Sequence, residues 1–189
     1  MSTFEYVSVL SSVVVGLAVV HLLQGLGNLI QHPGRNKIYW VHLVWVFFVF
    51  FAAIFWWWFE FALASVEIWD LKLYLFVLAY AVVIYLMSAL LFPGDLEGYA
   101  GFEDYFYRRR GWIFGCIAMY FLVDFADTWL KGPEYVAALG LQYPIGITVQ
   151  IVLCGTGIYT RNRWFHGAYA IFSAVTVVGW AFANYATLR

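Results

Sequence analysis

Residues 38–61 read "IYWVHLVWVFFVFFAAIFWWWFEF". From Ile38 to Phe59 no side chain is formally charged, and the apolar residues show none of the alternation of a half-buried strand. A helix rises about 1.5 Å per residue, so a run of this length crosses a hydrocarbon layer about 30 Å thick. The stretch reads as a membrane-spanning helix. Further apolar runs occupy residues 6–30, 73–92, 111–130, 144–160 and 164–188. They are too long and continuous for outer-membrane barrel strands, which alternate in segments of about ten residues. The first is also too long for the apolar part of a cleaved signal peptide. Composition agrees: 65% of the chain is hydrophobic and 11% is charged. A soluble domain carries about 25% charged residues, so the expected solvent is a lipid bilayer. The expected fold is all-α, with residues 1–189 forming one polytopic bundle of six transmembrane helices.

Two segments need separate reading. Residues 135–160 carry no charge, so the fifth helix either begins near Tyr135 and kinks at Pro144, or begins at Pro144. In the second case residues 134–142 form a short surface helix started by Pro133. In the loop "PGDLEGYAGFEDYFYRRR", residues 93–110, Leu96, Tyr99, Phe102 and Phe106 share one helical stripe. That spacing predicts an interfacial helix lying on the membrane surface.

Lysines and arginines give a direction. Arg35, Lys37, Arg108, Arg109, Arg110, Arg161 and Arg163 fall on one side of the six spans, and Lys72, Lys131 and Arg189 on the other. The positive-inside rule makes loops 31–37, 93–110 and 161–163 cytoplasmic and both termini extracytoplasmic. The triplet Arg108, Arg109, Arg110 suits anionic lipid headgroups. No basic cluster is large enough for nucleic acid.

Within the spans the polar residues are few, and each is costly in lipid. "FLVDFADTWL", residues 121–130, carries Asp124 and Asp127, with Lys131 four residues beyond Asp127. An interfacial Asp127–Lys131 pair accounts for Asp127 but not for the deeper Asp124. Counting residues along each helix puts Ser11, Ser12, Tyr80 and Gln150 at the depth of Asp124, with Thr176 close to it. We expect Asp124 to face this polar band, with Gln150, Tyr80 and a first-helix serine, Ser12, as partners. A neutral, hydrogen-bonded structural carboxyl and a proton-binding one both fit. Three helical stripes should face protein or water: His42, Trp45, Val49, Trp56 and Glu60; Gln150, Cys154 and Gly157; and His166, Tyr169, Ser173, Thr176, Trp180 and Asn184. Trp57 and Trp58 beside Trp56 fit an interfacial aromatic belt. The histidines gather toward the cytoplasmic side, with His21 the deepest, and the acids toward the other. Imidazoles on one half and carboxyls on the other would suit movement of a proton or cation.

Metal-ligand spacings, a phosphate loop and a lysine within a span are all missing from the sequence. No metal site and no cofactor are predicted, and a catalytic set is not visible. A haem or quinone site would draw on His42, His166 or His21.

The segments "EYVSVLSSVVVGLAVVHLLQGLGNLI", "IYWVHLVWVFF" and "FPGDLEGYAGFEDYFYRRRGW" resemble a group of small bacterial inner-membrane proteins of six helices, to which no activity is assigned. The resemblance covers the first four helices best. It implies a bacterial inner membrane and transfers no catalytic residue. The expected function is a small channel or transporter component, proton- or cation-linked through Asp124, and oligomeric. One alternative is a non-catalytic sensor or accessory subunit whose polar faces bind a membrane partner. The other is a haem- or quinone-binding redox protein.

Overall fold

A computed structural model describes residues 3–34, 37–66 and 69–184. Its elements are α1 (Thr3–Gln31), α2 (Trp40–Glu60), a 3-10 turn (Phe61–Ser65), α3 (Leu71–Leu91), α4 (Phe102–Leu130), α5 (Pro133–Leu139), α6 (Gln142–Tyr159) and α7 (Arg163–Asn184). No strand occurs among the described residues. Helices α1, α2, α3, α4 and α7 are each long and apolar enough to cross a membrane. The pair α5 and α6, bent by 79° at their junction, makes a sixth such unit.

Local chemistry sets the boundaries. Asp70 caps α3, its Oδ1 accepting from the Leu73 N–H at 2.8 Å. Pro133 opens α5 at a position where its missing N–H costs nothing. Gly132 and Gly140 flank α5 with φ of 102° and 64°, a region side chains resist. Of the two readings of the fifth span, the short helix started by Pro133 is therefore the one observed.

The interfacial helix expected in residues 93–110 does not form. Residues 93–101 make turns, with Gly98 and Gly101 at φ of 79° and 138°. Helix α4 begins at Phe102 and runs unbroken for 29 residues, about 43 Å. Leu96 and Tyr99 lie in those turns and Phe102 and Phe106 in α4, so the four share no helical face, yet all pack against the core. Phe106 is fully buried, and Phe102 stacks on the His42 ring at 4.5 Å. The arginines fold back on the turn. Arg108 donates to the Gly98 carbonyl at 2.9 Å and lies over the Tyr99 ring, while Arg109 donates to the Tyr99 hydroxyl at 2.8 Å.

Helix α2 is central. Its stripe of His42, Trp45, Val49, Trp56 and Glu60 is buried throughout, as expected. The closest pairings are α1 with α3, α4 with α6, and α2 with α7. Helices α6 and α7 follow one another through residues 160–162, yet their backbones stand apart and side chains bridge them. Exposed aromatic rings ring both ends of the bundle. Trp40, Trp112, Tyr159 and Trp164 lie at the end carrying Arg108–Arg110, and Tyr6, Trp57, Trp58 and Trp129 lie at the end carrying Lys131. Trp56 is not part of this belt; it is buried edge-on to Tyr80 at 5.6 Å.

At the arginine end three side chains from three helices hold the last carbonyls of α3. Tyr105 donates to Leu90 at 2.8 Å, His42 to Leu91 at 2.7 Å and His21 to Phe92 at 2.8 Å. A helix leaves its final carbonyls unpaired, and in an apolar setting water is not there to meet them. Phe92 also closes over Gly25: a Cβ built there would lie 2.3 Å from its ring, whereas one at Gly16 meets nothing within 4 Å. Gly25→Ala should therefore destabilise the detergent-solubilised protein by roughly 1–3 kcal/mol through overpacking. Gly16→Ala should leave it unchanged or up to about 1 kcal/mol more stable. Thermal unfolding of the two variants side by side checks both.

Candidate functional site

On α4, residues 124, 127, 128 and 131 follow at spacings that keep them on one side of the helix, turned into the bundle. Asp124 is held from two other helices. Tyr80 on α3 donates to its Oδ1 at 2.8 Å, and Tyr143 on α6 donates to its Oδ2 at 2.8 Å. Thr128 in turn donates to the Tyr143 hydroxyl at 2.7 Å. Each carboxyl oxygen keeps accepting capacity beyond its one phenol.

One turn further, Lys131 closes an ion cluster between α2 and α4. Its Nζ lies 2.5 Å from Asp127 Oδ2 and 3.4 Å from Glu60 Oε1, and all three side chains are at most 4% exposed. Burial opposes the Lys131 ammonium, but Glu60 and Asp127 outweigh it and hold its pKa above the ordinary lysine value. The remaining oxygens, Glu60 Oε2 and Asp127 Oδ1, are buried with no hydrogen-bond partner among the described residues.

A third polar group sits lower, on α6 and α7. Gln150 Nε2 donates to Thr176 Oγ1 at 3.1 Å, and Ser173 Oγ donates to Gln150 Oε1 at 3.1 Å. Tyr169 Oη donates to the Gln150 carbonyl at 3.1 Å. The gap between α6 and α7 is a cavity of about 600 Å³, walled by α4 and α2. Asp124, Lys131, Gln150 and Thr176 all line it, among rings that include Phe121, Tyr143, Phe172 and Trp180. Asp124 is half-buried, as its place on the cavity wall requires.

The structure thus brings together Asp124, Tyr80, Gln150 and Thr176, and sets Asp127 and Glu60 beside them. Gln150 shares the cavity with Asp124 but its side chain bonds to α7. The serine expected as a partner does not reach it. Ser12 donates within α1, to Ser8 at 2.6 Å or Val9 at 2.9 Å, because α1 packs on α3 and stays away from the cavity. The histidines lie elsewhere. His21 and His42 cap α3, and His166 donates to the Thr160 carbonyl at 3.1 Å. The Nε2 atom of each is therefore engaged with backbone. Asn184 ends α7, and its side chain lies outside the described residues. No group of three metal-ligating side chains occurs among the described residues.

Sequence reasoning missed Tyr143 and the reach of Lys131 to Glu60. Tyr143 stands one residue before Pro144, where the fifth span was taken to begin. Its signal was local: an aromatic hydroxyl in the first turn of α6, level with the acids of α4.

Removing one partner of a buried ion cluster strands the others, at about 3–5 kcal/mol, while neutralising all members together costs far less. Lys131→Met should accordingly destabilise the protein by that amount. The combination Lys131→Met, Glu60→Gln, Asp127→Asn should recover most of the loss, read as denaturation midpoints in detergent. No family model matches this chain, and neither a curated protein nor a solved structure does.

Proposed function

We propose that the chain is a multi-pass membrane protein and a small transporter component, with Asp124 as the protonatable carboxylate of a solute-binding cavity. One observation supports this reading: Asp124, held by Tyr80 and Tyr143, lines a half-open cavity between α6 and α7. Two phenol donors support the ionised carboxylate, and its spare lone pairs remain available to a solute. A proton and a cationic solute would compete for the same oxygens, which links occupancy to protonation. Packing favours a carrier over an open channel. Toward the arginine end the helices are closed by Trp45, Phe114 and Tyr169, with ring centroids 5.1 to 5.8 Å apart.

The distribution of Lys and Arg supports placing the arginine end in the cytoplasm, which would open the cavity toward the extracytoplasmic side. The first-helix resemblance supports a bacterial inner membrane. Arg108 and Arg109 already bond to the 93–101 turn, so headgroup contact would use their exposed edges. The accessory-subunit reading is favoured by one feature. Gln24 and Asn28 lie exposed on α1 beside Gly27, in a shallow groove, and polar groups on a lipid face are best met by another helix. A second copy of this chain would supply one.

In proteoliposomes loaded with a pH-sensitive dye, the wild type should show, on addition of an impermeant cationic solute such as tetraethylammonium, a proton-linked flux that Asp124→Asn abolishes while elution volume and melting temperature stay unchanged. Flux that persists in the variant, or none in the wild type, overturns the proposal. For orientation, a cysteine at Asn162 should react with a membrane-impermeant maleimide only from the cytoplasmic side, and one at Glu134 only from the other.

A further inference from the structure

The lining of the cavity restricts what can bind there. It is rich in rings, including Phe48, Tyr120, Phe121, Tyr143, Phe172 and Trp180, and Asp124 is the one carboxylate among its lining residues. Tyr143 and Trp180 stand with centroids 5.9 Å apart and planes at 39°, forming a corner whose phenol reaches Asp124. The other nearby charges do not offset that carboxyl. Lys131 is enclosed by Glu60 and Asp127, so the cluster holds two acids for one base and is at most neutral. Asp124 therefore sets the sign of the field in the cavity.

We propose that this cavity takes an amphipathic organic cation, its charge against Asp124 and its apolar body between the aromatic faces. The inference rests on reading the cavity as a solute site and goes on to name the solute class. An anion would meet the Asp124 carboxylate without a free cation to answer it. A small metal cation such as magnesium or calcium wants six or more oxygen ligands, and a single lining carboxylate does not provide them. A neutral apolar solute would displace whatever solvates Asp124 and put nothing in its place. An organic cation satisfies the carboxylate and gains from ring quadrupoles, whose negative faces attract positive charge. The volume, about 600 Å³, is in the range that holds drug-sized molecules.

Tetraphenylphosphonium and tetraphenylborate have nearly the same shape and opposite charge, which makes them the test pair. Titrated calorimetrically into the full-length protein in detergent, tetraphenylphosphonium should bind at least tenfold more tightly than tetraphenylborate. Asp124→Asn, shown by its melting temperature to be folded, should lose tetraphenylphosphonium affinity by tenfold or more. Trp180→Leu, which keeps the apolar bulk and removes one ring face, should lose it several-fold. Equal affinity for the two ions, or tetraphenylphosphonium binding untouched in Asp124→Asn, overturns the proposal in favour of an apolar cavity alone. The proton-flux assay reads transport and the calorimetry reads binding, so the two readings fail separately. Asp124-dependent flux without tetraphenylphosphonium binding overturns only the solute class. Asp124-dependent binding without flux supports the solute class and overturns transport.

Discussion

Polar groups in the middle of an apolar bundle have no water to fall back on, and this chain meets that constraint with side chains from different helices. Asp124 is shared among α3, α4 and α6, the Lys131 cluster joins α2 to α4, and Gln150 joins α6 to α7. Each group fixes the rotation of the helices that supply it, because turning any one of them would strand a charge or a donor at a cost of several kcal/mol. An all-apolar core of the same size could be as stable. The acids are therefore weak evidence for stability and better evidence for a role that needs them.

Much of this was legible in the sequence, for reasons that also set the limit. Helical periodicity reports which face of a helix meets protein, so the stripes of α2 and α7 were read correctly down to His42, Glu60, His166 and Ser173, all buried. Counting residues from the ends of a span reports depth, which matches Asp124 with Tyr80 but sets Gln150 and Thr176 too high: they bond to each other below Asp124, about two turns along α6 from Tyr143. Neither measure reports which neighbour a helix will have. Ser12 shares the level of Asp124 but belongs to a helix on the wrong side of α3. The stripe in residues 96–106 showed burial, and nothing in its spacing could tell protein from membrane surface. The histidines were placed at the correct end, but their role as caps depends on where α3 stops in space.

The two ends of the bundle are built differently. At the arginine end backbone and side chains are tied across helices: the Phe102 N–H donates to the Lys37 carbonyl at 3.1 Å, Arg163 pairs with Glu103 at 2.6 Å, and α3 is capped from three sides. At the Lys131 end α6 and α7 diverge around the cavity, and the short α5 is joined on both sides through glycines in the left-handed region. The ion cluster and the Asp124 cavity thus lie toward one end, while the other is tied across helices and holds a polar pocket of its own, lined by His21, Gln24, Asn28, His32, Asp95 and Glu97.

On α6 the lining of the cavity reaches Gln150 and goes no further. Beyond it Cys154 bonds to Tyr169, and Trp45 and Phe114 pack against the same tyrosine ring. That layer draws on four helices, α2, α4, α6 and α7. On the proposed carrier reading a solute would cross only if the layer parted, and Tyr169, which ties α7 to Cys154 and to the Gln150 carbonyl of α6, stands at its centre.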